Sequence, residues 1–361
     1  MRNGFYRIVQ ERLGKFPIGA WVPYYREKLN IGALERIRDS GINFVASSSC
    51  DEEELSLLGK AGLKILANDD RIPYANVTGI LKVGEIASEI ARKEGVLGIF
   101  VWDEPSPTMM DFCGAINRQV QKNREDLFGF INLHPNYSDV VRQRDGLSYE
   151  DYLEYFVSHC SPKVICYDHY PFYSDGFHAK EYFDNLASVR ACCDRHGLDF
   201  WTFLQSTSFG ENVIPTEAQL RFQANTSLAF GAKGVLYFTY TQVIHEENFG
   251  AALEDRFGNE TPLYAYASAL NRKIESIGSD LLDADYLGVR FFGNLYGEYS
   301  TAETDFTLSG GNFLVGLFTL RGERRVYLVN LDFEGEAEAV FAGSSTRRVR
   351  LAAGEGEWLS L

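Results

Sequence analysis

The chain is poor in basic residues for its size. Its 361 residues include 35 Lys and Arg against 50 Asp and Glu, a net charge of −15. Phosphate backbones and anionic lipid repel such a surface, which argues against nucleic-acid and membrane partners. The densest basic run, Arg347-Arg348-Val349-Arg350, alternates like a solvated strand face. Long apolar runs are also lacking. Stretches such as Gly234 to Phe238 fall far short of the roughly 18 residues of a membrane span. The basic start Met1-Arg2-Asn3 is followed by no apolar leader core, so a cytoplasmic location is expected. Cysteine is sparse and scattered: Cys50, Cys113, Cys160, Cys166, Cys192 and Cys193. A chain this long needs no disulfide staples, and six buried free thiols are expected. Cys166-x-x-His169 looks like half a metal site, but no second half has suitable spacing. Neither metal nor organic cofactor is expected. No Gly-x-Ser-x-Gly elbow surrounds Ser47-Ser48-Ser49, which speaks against a serine nucleophile.

Aromatic residues, by contrast, are abundant. There are 20 Tyr and 26 Phe, and aromatics make up 14% of the chain. The apolar and charged fractions, 45% and 24%, are those of an ordinary globular protein.

Along the chain, apolar runs of five to eight residues alternate with helical patterns. The strands are expected at Ile18–Tyr25, Asn43–Ser47, Leu63–Ala67, Val96–Trp102, Leu127–Leu133, Lys163–Tyr167, Phe200–Leu204 and Gly234–Tyr240. Each is followed by a helix, and the last helix is expected at Leu263–Ile277. Eight such units predict a (β/α)₈ TIM barrel, which takes about 250 residues. The runs are continuous rather than alternating, as strands buried on both faces should be. A doubly wound sheet would carry a Gly-rich turn after its first strand, and Trp21-Val22-Pro23-Tyr24 is nothing like one. Beyond about Leu282 the helical period gives way to short strands and Gly-rich turns. The expected division is therefore a barrel over residues 1–285 and a small antiparallel β domain over 286–361, joined by a packed junction.

In a barrel the chemistry lies at the C-terminal strand ends. Those ends carry Tyr25, Asp70, Asp103, Glu104, Asn132, His134, Asp168, His169, Tyr170, Gln205 and Tyr240. Carboxylates, amides and rings with few lysines suit sugar hydroxyls and sugar faces better than phosphate. The sharpest element is Trp102-Asp103-Glu104-Pro105. Proline keeps Glu104 out of the right-handed helical region, so an extended, fixed carboxylate is expected there. Packing near Trp102 would favour its protonated form, as a general acid requires. Trp21 and Trp201 are expected in the core. Tyr24, Tyr170, Tyr173 and Tyr240 are expected to offer rings at the rim.

The ordered set of strand ends resembles the clan-A glycoside hydrolases, and the later half is similar to the family-42 β-galactosidases. Trp102-Asp103-Glu104-Pro105 resembles their strand-four Asn-Glu-Pro motif, whose Glu is the acid/base. Cys166-Tyr167-Asp168-His169-Tyr170-Pro171 resembles their strand-six Asp-x-Tyr-Pro segment. Leu228 to Phe238 resembles the passage into strand eight, and Asp255 to Tyr264 the segment before the last barrel helix. The resemblance covers roughly residues 18 to 280. It implies glycoside hydrolysis with Glu104 as general acid/base and Asp103 beside it. With it, the strand ends predict a sugar subsite lined by Tyr25, Asp70, Asn132, Asp168, Tyr170, Gln205 and Tyr240. The expected partners are a carbohydrate substrate and, in a homo-oligomer, further copies of the chain.

Two departures stand out. Asp103 replaces the usual Asn, and Gln205 stands where the strand-seven nucleophilic Glu belongs. Three readings follow. Another carboxylate (Asp168, Asp70, Glu211 or the Glu246-Glu247 pair) acts with Glu104. Alternatively, a 2-acetamido group of the substrate attacks, oriented by Asp103. In the third reading the barrel binds glycans without cleaving them.

Overall fold

The structure is a computed structural model. It describes residues 9, 12–47, 50–69, 71–72, 79–123, 127–141, 146–342 and 346–361.

Eight parallel strands close into a barrel. They are β1 (Ile18–Ala20), β2 (Phe44–Ser47), β3 (Lys64–Ala67), β4 (Val96–Asp103), β5 (Gly129–Leu133), β6 (Ile165–Tyr167), β9 (Phe200–Gln205) and β10 (Val235–Phe238). A two-stranded hairpin, β7 (Phe172–Tyr173) and β8 (Gly176–Phe177), interrupts the series after β6. The surrounding helices are α1 (Ile31–Asp39), α2 (Glu52–Ala61), α3 (Ile80–Ala91), α4 (Pro107–Asn123), α5 (Tyr149–Cys160), α6 (Ala179–His196), α7 (Glu217–Ala229) and α8 (Pro262–Asp283). Their starts follow local chemistry. The side chains of Asn30, Asp51, Ser148 and Thr216 each accept a backbone N–H of the first turn, and Thr216 forms a capping box with Gln219.

Rings fill the barrel interior. Trp201 is fully buried against Phe44, Phe128 and Phe130, with centroids 5.6, 5.9 and 6.4 Å away. Two glycines make room for these rings. A Cβ at Gly19 would lie 2.3 Å from the Phe44 ring, and one at Gly234 would lie 2.7 Å from Trp201.

Several limits differ from expectation by one or two residues, as where β5 begins at Gly129 and β6 at Ile165, and three C-terminal ends need a physical account. β1 stops at Ala20, and Val22 turns the chain with φ +45°. β10 stops at Phe238, where the Phe238–Thr239 peptide is cis. α8 continues past Ile277 to Asp283, because Gly278 is a packing position rather than a stop. Its Cα lies on Phe16, where a Cβ would come within 2.7 Å.

After α8 the chain enters two antiparallel sheets. One holds β11 (Asp285–Phe292), β13 (Phe313–Leu320), β14 (Glu323–Asn330) and β17 (Gly356–Ser360). The other holds β12 (Thr307–Ser309), β15 (Ala337–Ala342) and β16 (Thr346–Leu351). Phe313, Val315, Val326, Leu328, Phe341 and Leu351 form a core of their own, while Phe291, Leu314, Phe318 and Tyr327 join the barrel's core. The junction is packed, as expected. α7 lies between barrel and sheet, so its Gln223, Asn225, Thr226 and Ser227 are all buried. Asn225 donates to Gly354 O (2.9 Å) and accepts from the Tyr327 hydroxyl (2.8 Å). Lys273 bridges Glu355 and Glu357 at 2.7 and 2.9 Å.

Candidate functional site

The C-terminal ends of β4, β5 and β6 lie side by side. Their inward residues bring three carboxyl groups together. Asp103 ends β4, and its Oδ1 accepts from Asn132 Nδ2 of β5 at 3.0 Å. Water reaches the Asp103 side chain, yet protein surrounds it at the barrel mouth. That loss of bulk solvent, helped by the neighbouring Glu104, pushes its carboxyl up to about 6. Asp168 follows β6 and is buried. Burial raises its carboxyl well above the ordinary range, and the charges of Glu104 and then Asp103 push the same way. The Tyr170 hydroxyl donates to Asp168 and opposes this, while Asp168 Oδ1 has no protein partner. Like charges gathered here thus add to burial in raising both aspartates.

Glu104 reaches this cluster by an unexpected backbone route. Its φ is +48°, in the left-handed region, not extended. Proline excludes the right-handed helical region from the residue before it, and here the chain takes the other hand. The turn is clamped on both sides. Glu104 N donates to Asn132 O (2.9 Å), and the Tyr152 hydroxyl donates to Pro105 O (2.9 Å). The Glu104 side chain stays 38% exposed, within reach of a ligand, with Oε1 3.3 Å from His134 Nδ1. Trp102 packs edge-on against Phe112 of α4 at 6.3 Å, so its ring faces the helical layer rather than the mouth.

A buried network stands behind this turn. Tyr149 donates to His134 O (3.0 Å), Asn185 donates to the Tyr149 hydroxyl (3.0 Å), and His169 Nδ1 meets Asn185 Oδ1 (2.9 Å). Burial lowers His169 to about 4, so it is a neutral member of the core rather than a rim ligand.

The remaining candidates are dispersed. Gln205 is fully buried and held at both ends of its amide. Oε1 accepts from Phe172 N (3.1 Å), and Nε2 donates to Phe172 O (3.1 Å) and Val213 O (2.6 Å). It ties the β7–β8 hairpin to β9 and does not line the mouth. Tyr240 is also fully buried, and its hydroxyl donates to Glu254 Oε1 (3.2 Å), which Arg36 Nε holds at 3.0 Å. Tyr25 stays near the rim. Its hydroxyl donates to Gln242 O (3.0 Å) and accepts from Ile244 N (2.9 Å), which pins the loop after β10. Glu211, Glu246 and Glu247 are exposed on loops. Asp70, Ser48 and Ser49 lie outside the described residues.

Three rings at the site escaped the sequence. Phe238 ends β10, partly exposed, and stacks on Tyr170 at 4.9 Å. Tyr137 sits next to Asp168 and Tyr173, where burial raises its phenol. Trp21 lies past the end of β1, against Phe100 (5.1 Å) and Phe203 (5.9 Å), and walls a cleft instead of filling the core. No pattern flags Phe238 or Tyr137. The Val22-Pro23 pair after Trp21 was the one available sign of an early strand end.

All six cysteines are buried and free, as expected. Among the described residues one grouping has metal-ligand types, Glu154, Cys192 and His196 on the outer helices. Glu154 is already bound there by Arg195 (2.6 Å) and His196 (2.7 Å). Among the described residues no helix is long and apolar enough to cross a membrane.

This geometry can be set beside known proteins. No protein-family model matches the chain, and no curated protein matches its sequence. Its structure is similar to solved β-galactosidases. For the enzyme from Bacillus circulans sp. alkalophilus the TM-score is 0.58 at 11% identity, covering 76% of this chain and 58% of that one. For Marinomonas ef1 the values are 0.51, 12%, 75% and 62%. For the haloarchaeon Halorubrum lacusprofundi they are 0.51, 14%, 71% and 58%. The likeness is to the (β/α)₈ barrel of these enzymes. The chain spans about three fifths of the length of these β-galactosidases. At such identities the likeness is one of fold, and a fold does not assign a reaction.

Proposed function

We propose that this chain is a glycoside hydrolase that cleaves O-glycosidic bonds, with residues 1–285 as the catalytic barrel and 286–361 as an accessory β domain. The observation that carries this reading is the meeting of Asp103, Glu104 and Asp168 at the barrel mouth, where burial and then the charges of the first two raise the carboxyl of the third. Glycoside cleavage needs one carboxyl group to protonate the leaving oxygen and a second to attack or to activate water. Glu104 serves as general acid/base, because it is reachable from solvent and its backbone is clamped on both sides. Asp168 is the second carboxyl group. The Glu104 charge acts on Asp168 more than any other, which puts the two carboxyl groups within electrostatic reach of each other. Asp103, tied to Asn132, orients sugar hydroxyls beside the scissile bond. Tyr170 and Phe238 supply the rings beneath it.

The test is a panel of aryl glycosides assayed with the wild type, Glu104→Gln and Asp168→Asn. Loss of general acid catalysis should lower turnover at least about 100-fold for Glu104→Gln. Undiminished turnover by that variant would refute the assignment. The second reading, a glycan-binding barrel without hydrolysis, is favoured by Gln205, whose amide leaves β9 without a carboxylate. It predicts glycan binding with no sugar released from any member of the panel.

A further inference from the structure

Beside the carboxyl cluster, the ends of β1 to β4 enclose a cleft of about 450 Å³. Its volume falls within the range of small-molecule sites. Trp21, Tyr24 and Tyr25 form the walls, and Phe100 lies at the floor, three residues before Asp103 on the same strand. Its lining combines two acceptors, Glu54 and Asn68, with Arg26 and His245. Glu54, 1% exposed in the first turn of α2, belongs to the lining and accepts from the Tyr24 hydroxyl. Asn68, at the end of β3, has a buried Oδ1 without a protein partner. The nearby cations are committed elsewhere: Arg26 pairs with Asp51 and Glu53, each at 2.9 Å, and Arg71 pairs with Asp69 at 2.7 Å.

We infer that this cleft binds the neighbouring sugar of an oligosaccharide substrate, and that this sugar is neutral; the inference rests on the glycosidase reading of the adjacent carboxyl cluster. Rings match the apolar face of a pyranose, and sugar hydroxyls match the Glu54 and Asn68 acceptors. A uronate or a sulfated sugar would set its anionic oxygens against the acceptors of Glu54 and Asn68, while the Arg26 guanidinium of the lining is already held by Asp51 and Glu53. Tyr25 makes the cleft a defined shape, because its hydroxyl fixes the loop that brings His245 over the opening, 5.4 Å from the Tyr25 ring.

Binding can be read without hydrolysis, from quenching of tryptophan fluorescence on the Glu104→Gln background. Lactose, cellobiose and xylobiose are titrated against digalacturonic acid. At least one neutral disaccharide should quench, digalacturonic acid should bind at least tenfold more weakly, and Trp21→Phe should remove most of the signal. Exchanging a carboxyl oxygen for an amide N–H removes an acceptor from the lining, so Glu54→Gln should weaken the neutral ligand about tenfold. Asn68→Ala should weaken it as well, and it leaves the α2 cap intact. The inference is overturned if no neutral disaccharide quenches, if digalacturonic acid binds as tightly, or if both variants bind like their parent. Binding with these properties by a wild type that releases no sugar would sink the hydrolase reading and leave the cleft standing.

Discussion

Gln205→Glu is the substitution that the resemblance to clan-A enzymes invites, since it restores a carboxylate where that clan keeps its nucleophile. The structure predicts damage instead of gain. Gln205 Nε2 donates to two carbonyls, Phe172 O and Val213 O, in a site closed to water. A protonated carboxyl group has one O–H where the amide had two N–H donors, so one carbonyl loses its partner. That costs about 1–3 kcal/mol. An ionised carboxylate would face both carbonyls with a negative charge, so the introduced acid must stay protonated and its folded-state pKa must rise. A raised folded pKa gives a penalty that grows with pH, starting from the unfolded value near ~4.3. Each further pH unit adds about 1.4 kcal/mol until the folded pKa is reached. The expected destabilisation is therefore roughly 1–3 kcal/mol at pH 4 and about 2–4 kcal/mol more at pH 7. Urea unfolding at the two pH values measures it, with the aryl-glycoside panel run alongside. A variant as stable as the wild type at pH 7, or one with increased turnover, would refute the reasoning.

Three further outcomes follow from the same contacts. Tyr240→Phe removes one hydrogen bond to Glu254 and leaves Arg36 in place, so it should cost about 1–2 kcal/mol in urea unfolding while sugar affinity changes less than twofold. Asp103 has a folded pKa raised to about 6, so its contribution to stability is present below pH ~4 and is lost as pH rises to about 6. Asp103→Asn should therefore gain Tm relative to the wild type between pH 4 and pH 7. The six cysteines are buried, and burial pushes Cys113 and Cys160 up to about 12, so a thiol reagent at pH 8 should label less than one per native chain and all six in denaturant.

The elements legible in the sequence are those whose limits are set by local chemistry. α5 runs over Tyr149–Cys160 and α6 over Ala179–His196, with the ends that Ser148 as a cap and Gly197 as a stop announce. β13 likewise occupies Phe313–Leu320, bounded by turn residues. The misread limits depend on tertiary contacts. Gly278 looks like a helix stop until Phe16 is seen lying against it. At the site, Asp103, Glu104 and Asp168 were legible because strand ends are where a barrel collects its chemistry. Gln205 and Tyr240 were misplaced for a common reason. Each sits at a strand end with a polar head, and the sequence does not say whether that head turns to solvent or to a buried partner. Gln205 finds the hairpin backbone and Tyr240 finds Glu254, contacts made across 33 and 14 residues of chain. Glu104 kept its place although its backbone hand was misread, because proline restricts only one of the two alternatives to an extended chain.

The same comparison explains why the acids gather on β4 to β6. Successive strands lie about 4.8 Å apart, so β4 and β6 are separated by roughly 10 Å of backbone with β5 between them. Side chains directed inward close that gap, and Asn132 on β5 occupies the space between, donating to Asp103 on one side. A nucleophile on β9 would have faced Glu104 from beyond β6 in the barrel order. Here that post belongs to Gln205, whose amide is needed to hold the β7–β8 hairpin. The hairpin in turn follows Tyr170, the residue that donates to Asp168. The amide on β9 and the buried acid on β6 are thus parts of one arrangement. Fixing the hairpin with a neutral donor keeps Tyr170 against Asp168, and under the proposed mechanism Asp168 takes up beside Glu104 the role that β9 does not fill.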